Sequence, residues 1–139
     1  MYVLDTDVMS HLRRVGKVHP HVAAWAAATP TALFFISSIT IYEIELEALA
    51  MERKAAAQGR IMRAWIDKQI RPDFEGRILS LDTEVAQRCA QLHFPHPRPL
   101  RDSFIAATAL VHAMTVVTRN VEGFKPMGVE VLNPWEREP

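Results

Sequence analysis

Apolar and polar positions fall in blocks whose lengths separate strands from helices. Tyr2-Val-Leu4 is a short apolar run stopped by Asp5-Thr6-Asp7, which predicts a strand followed by a helix, Val8 to Arg14, capped by Thr6 or Asp7. Pro20 suits a first helical turn, and Val22 to Ala28 reads as an Ala-rich helix ended at Thr29-Pro30. Leu33-Phe-Phe-Ile36 is a continuous apolar run of strand length. Thr40 to Ala57 reads as a long helix opening on Thr40-x-x-Glu43, the pattern of a capping box. Gly59 is expected to break it, with a second helix over Ile61 to Ile70 ending in a turn at Arg71-Pro72. Arg77 to Leu81 reads as a strand, and Asp82 caps a helix to about Leu92. Three prolines between His93 and Pro99 make a rigid, helix-hostile linker. Arg101 to Ala113 is an apolar helix, and the strands Thr115 to Thr118 and Val129 to Leu132 close the pattern.

Strands separated by helices imply parallel pairing through crossovers, and uninterrupted apolar strands imply a sheet covered on both faces. The expected fold is therefore α/β: a three-layer α/β/α domain with a short, mostly parallel central sheet, occupying residues 1–139 as one unit.

Composition narrows this little further. Hydrophobic residues make up 49% of the 139 and charged residues 23%, and the formal net charge is zero. These values suit a globular domain and exclude a chain that coats DNA by bulk positive charge. The one cysteine, Cys89, excludes an internal disulfide and a cysteine-built zinc site, as expected of a reducing, cytoplasmic setting. Asp5 and Asp7 interrupt what would be the apolar core of a leader peptide. Val18 to Tyr42 carries no Asp, Glu, Lys or Arg, but Pro20 and Pro30 break it, so a buried helix and strand fit better than a membrane span.

In parallel sheets ligands sit beyond the carboxyl ends of the strands, which directs attention to the residues that follow them. Asp5 follows the first strand and Asn120 the fourth; Glu43 and Asp102 lie at the openings of two helices. Four polar residues, three of them acids, converge at one sheet edge. Clustered carboxylates repel, and a hard divalent cation such as Mg²⁺ or Mn²⁺ relieves that repulsion with oxygen ligands. Without metal, at least one of the three acids should titrate above its ordinary value. Each residue also has a plain structural reading: Asp5 as a turn or cap residue, Glu43 as the capping-box acid, Asp102 as a first-turn acid, Asn120 as a turn residue.

Taken together, Val3-Leu-Asp-Thr-Asp7, Ser37-Ser-Ile-Thr-Ile-Tyr-Glu43, Arg101-Asp-Ser-Phe-Ile-Ala-Ala-Thr-Ala-Leu110 and Val117-Thr-Arg-Asn-Val-Glu-Gly-Phe124 resemble the four signature segments of the PIN domain. Asn133-Pro-Trp135 is similar to the tail of the VapC/FitB branch. The resemblance spans nearly the whole chain and implies a Mg²⁺- or Mn²⁺-dependent endoribonuclease, the toxin of a type II toxin–antitoxin module. It implies Asp5 and Asp102 as metal ligands and Glu43 as a residue that binds metal or orients water. Asn120 occupies a fourth position where many relatives carry aspartate. Thr6, Ser37 and Thr118 would hydrogen-bond around these residues, and Arg119 would contact phosphate. Asp7 stands where asparagine is common, and Gly123 replaces an acid seen in some relatives. The number of metals is left open by Asn120.

The implied partners are RNA, a VapB- or FitA-like antitoxin inserting into the acidic groove, operator DNA reached only through that antitoxin, and a second toxin copy, giving a homodimer and a heterotetramer or larger assembly. No membrane is implied. Apolar residues near Val22 to Ala28 and Ile41 to Ala50 are the candidate dimer face. Arg53, Lys54, Arg60, Arg63, Lys68 and Arg71 make either a cationic rim for a phosphate backbone or a solvated helix face. The rival readings are a nuclease acting on structured DNA and a catalytically silent PIN-fold module docking a partner through the acidic pocket.

Overall fold

The computed structural model describes residues 1–14 and 16–136. Strand β1 (Tyr2–Leu4) leads into helix α1 (Thr6–Leu12), and α2 (Pro20–Ala28) precedes β2 (Phe34–Ser37). Helices α3 (Ser38–Lys54) and α4 (Ala56–Trp65) follow, the latter running through a wider π turn, Ile66–Ile70, into α5 (Arg71–Asp73). Then come β3 (Ile78–Leu79), α6 (Thr83–Leu92), α7 (Leu100–Val111), β4 (Thr115–Val117), α8 (Val121–Phe124) and β5 (Val131–Leu132).

The strands pair in the order β3-β2-β1-β4-β5, and every pairing among the described residues is parallel. β1 is central, with Val3 opposite Phe35 on one side and Val116 on the other. The strand order reverses direction at β1, so the residue leaving its carboxyl end, Asp5, stands at the topological switch point.

Alternate residues of the strands feed two cores, one per face. Leu4, Ile36 and Val117 pack with Val8, Ile44, Met62 and Ile66 of the α1, α3 and α4 side. Val3 and Val116 pack with Ile105, Ala106, Ala109 and Phe124 of the α7 and α8 side. The three-layer α/β/α expectation is thus what the chain adopts, and the apolar segment 18–42 becomes α2 and β2. Among the described residues no helix is long and apolar enough to cross a membrane.

Several boundaries differ from the sequence reading, each for a local reason. Helix α1 starts at Thr6 because Asp5, not Thr6 or Asp7, is the cap: its Oδ1 accepts from Thr6 N at 2.7 Å. Helix α3 starts at Ser38, capped by Ser37, so Thr40-x-x-Glu43 is not a capping box and Glu43 sits more than a turn inside the helix. The break between α3 and α4 falls at Ala55, with φ −149°, rather than at Gly59. Gly59 instead lies where the two helices meet: a Cβ there would stand 2.4 Å from Glu52 Cα, closer than any real contact. Pro72 lies within the helical turn that ends the segment rather than stopping it. β3 and β5 are two residues each, shorter than read, as suits edge strands with one neighbour.

Candidate active site

Parallel strands deliver β1, β2 and β4 to one edge with their carboxyl ends aligned, and the acids gather there. Asp5 is 1% exposed, and its two oxygens are fully engaged. Oδ1 accepts from Thr6 N and from Arg101 Nη2, both at 2.7 Å, and Oδ2 accepts from the Thr118 hydroxyl at 2.7 Å. Glu43 reaches the same place from α3, accepting from the Thr6 hydroxyl at 2.6 Å and from Arg101 Nε at 2.7 Å on both oxygens. Asp102, from the first turn of α7, accepts from Arg101 Nη1 at 2.6 Å. One guanidinium therefore binds carboxylates separated by up to 97 positions in the chain.

Arg101 is the residue that the sequence reading missed. It is quoted in the third signature segment but given no role there. A signal was present: a cation in the first turn of a helix opposes the helix dipole, so Arg101 needs a nearby anion to account for its place. Thr40 was also missed; its hydroxyl is 3.0 Å from that of Thr6 and ties α3 to α1 beneath Glu43.

The electrostatics follow from this packing. Burial, the largest influence, holds the Asp5 carboxyl above the ordinary aspartate value; Arg101, the Thr118 hydroxyl and the Thr6 amide pull it down, and the charge of Asp7 adds to the rise. The expectation that one acid titrates high is met by Asp5, but its cause is chiefly desolvation and not mutual repulsion of the acids. Burial also disfavours charge on Arg101, yet Asp5, Glu43 and Asp102 outweigh it and hold the guanidinium above its ordinary pKa.

The remaining predicted residues divide. Thr6 and Thr118 do hydrogen-bond to the acids. Ser37 does not among the described residues: its hydroxyl, fully buried, accepts from Ile39 N at 3.2 Å as the cap of α3. Asn120 is exposed at the lip, its backbone N–H donating to Thr118 Oγ1 at 3.0 Å. Its side chain lies over Gly123, where a Cβ would come within 2.3 Å of Asn120 Nδ2. The glycine at 123 is thus what lets asparagine lie flat here. Arg119 is exposed and stacks on Trp135, with 5.2 Å from its Cζ to the ring centroid. Of the basic run on α4 and its neighbours, Arg63 is bound to Glu45 and Glu52 and Arg71 lies 4.0 Å from Asp67, as in a solvated, ion-paired helix face.

The donor set is oxygen only, which suits a hard divalent cation. Among the described residues no group of three or more acidic, histidine or cysteine side chains encloses a metal position as it stands. The acids face inward onto a common centre, and the Arg101 side chain stands in it.

A family model for the PIN domain matches residues 2–128. A VapC ribonuclease of Sinorhizobium fredii, Y4jK, is 32% identical over 143 residues, covering 98% of this chain and 99% of the relative. Toxin FitB of Neisseria gonorrhoeae is 34% identical over 141 residues, covering 97% and 99%. The structure of FitAB bound to an IR36 DNA fragment contains a chain that superposes with a TM-score of 0.90 at 32% identity, over 100% of this chain and 99% of that one.

Proposed function

The chain belongs to the PIN domain family, and from that premise we propose that it is a Mg²⁺- or Mn²⁺-dependent endoribonuclease, the toxin of a toxin–antitoxin pair. The observation that carries this reading is the convergence of Asp5, Glu43 and Asp102 on one cation at distances of 2.6–2.7 Å. Side chains so placed are within reach of one centre, and such a cluster is costly unless a cation serves it.

Asp5 and Asp102 would hold the metal, which, when bound, lowers the pKa of an attacking water and stabilises negative charge on the phosphodiester. The chain's own groups prepare that position. Thr118 and the Thr6 amide fix both oxygens of Asp5, so its orientation is set before any ligand arrives. The Thr6 hydroxyl, itself 3.0 Å from Thr40, holds Glu43 Oε1 towards the centre, where Glu43 would orient the attacking water. Asn120 at the lip brings an amide in place of a fourth negative charge, which favours one tightly held metal over two.

The partners follow from the same family. We read the chain as held by a cognate antitoxin, with operator DNA bound only through it; the FitAB–DNA structure supports this. For self-association, the candidate face narrows to α3: Tyr42, Leu46 and Leu49, at i, i+4 and i+7, are 53–59% exposed, whereas Val22 of α2 is buried. The chain as a single nuclease unit in the cytoplasm completes the reading.

The test is cleavage of total RNA by purified protein. Activity should need Mn²⁺ or Mg²⁺, vanish with EDTA, and fall roughly a hundredfold or more in Asp5→Asn and Asp102→Asn, which preserve shape but remove charge. A second reading, a PIN-fold module that docks a partner without catalysis, is favoured by one observation: the Arg101 guanidinium already occupies the centre shared by the three acids. Folded wild-type protein that binds Mn²⁺ but cleaves no RNA would select it.

A further inference from the structure

Beside the acid pocket lies an open cleft of about 360 Å³ lined by Asp7, His11, Arg13, Arg14, Arg119 and Trp135, together with Ser10. It is tied to the acids through two short stretches of chain. Asp7 is two residues beyond Asp5 on α1, and Arg119 follows Thr118, whose hydroxyl holds Asp5. Among the described residues no carboxylate lies within 4.0 Å of a nitrogen of Arg13, Arg14 or Arg119, whereas Arg63 of α4 and Arg101 of α7 are ion-paired. The Arg13 guanidinium lies over the Trp65 ring, 5.6 Å from its centroid, which leaves Arg14 and Arg119 as the cations that serve the cleft. Burial, then the charges of Arg14, His19 and Arg119, hold the His11 imidazole below its ordinary pKa, and the lining itself sets three arginines against one carboxylate, Asp7.

The Asn133-Pro-Trp135 tail finds its role here. Trp135 is fixed by its own N–H donating to Asn133 Oδ1 at 3.0 Å and by its carbonyl oxygen 2.9 Å from His21 Nδ1. His11 and Arg119 lie against the indole, at 5.1 and 5.2 Å, which aims the Arg119 guanidinium over the cleft with no anionic partner among the described residues.

We propose that this cleft binds the RNA strand next to the bond to be cut, Arg14 and Arg119 each taking a backbone phosphate and Trp135 acting as the positioning residue for Arg119. The inference rests on the ribonuclease reading for its ligand. Phosphate is the complement of aimed, unpaired guanidinium groups, and the acid pocket repels phosphate unless flanking cations hold the strand across it.

The experiment is fluorescence anisotropy of a labelled single-stranded oligoribonucleotide with full-length protein in EDTA, across a salt series. Arg14→Ala and Arg119→Ala should each weaken binding about fivefold to tenfold and reduce the slope of log K against log salt by about 0.7. Trp135→Ala should weaken binding, with no further loss when combined with Arg119→Ala, since both act through one contact. Additive losses in that pair would remove Trp135 from the proposal. An Arg14→Ala, Arg119→Ala double variant with wild-type affinity and slope overturns it, as does wild-type protein that binds no RNA at low salt. Mn²⁺-dependent cleavage is read separately: cleavage with an unchanged slope defeats the cleft alone, and cleft-dependent binding without cleavage supports the cleft while defeating the nuclease reading.

Discussion

Arg101→Ala tests the electrostatic account of the pocket most directly. In the wild-type chain the Arg101 guanidinium, 31% exposed at the side chain, is bonded to three carboxylates, of which Asp5 has no access to solvent. Removing one partner of a fully buried pair costs about 3–5 kcal/mol, and the partial exposure of Arg101 and Glu43 lowers this to about 2–4 kcal/mol. At this chain length that is a loss of about 10 °C in melting temperature in EDTA. The same energy opposes any divalent cation that must displace the guanidinium, so the variant should bind Mn²⁺ about 30-fold more tightly or better. Calorimetric melting in EDTA and Mn²⁺ titration by isothermal calorimetry give the two numbers. Arg101→Lys, able to satisfy fewer of the carboxylates, should fall between. If Arg101→Ala melts within about 2 °C of wild type and its Mn²⁺ affinity is unchanged, the guanidinium does not share a centre with the metal and the argument fails.

Asp5→Asn should stabilise the metal-free protein at pH 7: the folded-state pKa of Asp5 is raised, so its contribution is full below the ordinary aspartate value and is lost as pH rises through the raised one. Urea unfolding from pH 4 to 7 should show that pH-dependent loss in wild type and not in the variant. Gly123→Ala should leave the melting temperature nearly unchanged but turn the Asn120 side chain away, so a change in metal-dependent cleavage measures what Asn120 contributes. Gly59→Ala must part α3 from α4 and should cost about 1–3 kcal/mol in chemical denaturation, far from the acids. Leu46→Glu should shift light scattering of the free chain to monomer without altering its fold.

The sheet and its flanking helices were legible because period and length carry them: central parallel strands are predominantly apolar, and Tyr2–Leu4, Phe34–Ser37 and Thr115–Val117 are. Asp5 and Asp102 followed from their places after a strand and at a helix opening, whereas Glu43 joins them from inside α3 and not from the opening that the sequence suggested. Edges were less legible, since β3 and β5 owe their length to pairing that local pattern does not encode. Thr40-x-x-Glu43 misled because a capping box and a helix carrying an inward acid share one sequence; only Ser37 taking the cap separates them. Arg101 was hidden because two of its partners are 58 and 96 positions away, which no local pattern encodes.

β1 precedes the four other strands of the sheet in the chain and yet lies innermost. β1 cannot acquire its second neighbour until residues 115–117 exist, and Asp5 is pinned by a hydroxyl 113 positions downstream. A copy still being synthesised, or one truncated before that point, lacks Thr118 and the companion strand and so holds no finished pocket. The topology thus withholds the finished pocket until residue 118 has been added, however early the aspartate at its centre is made.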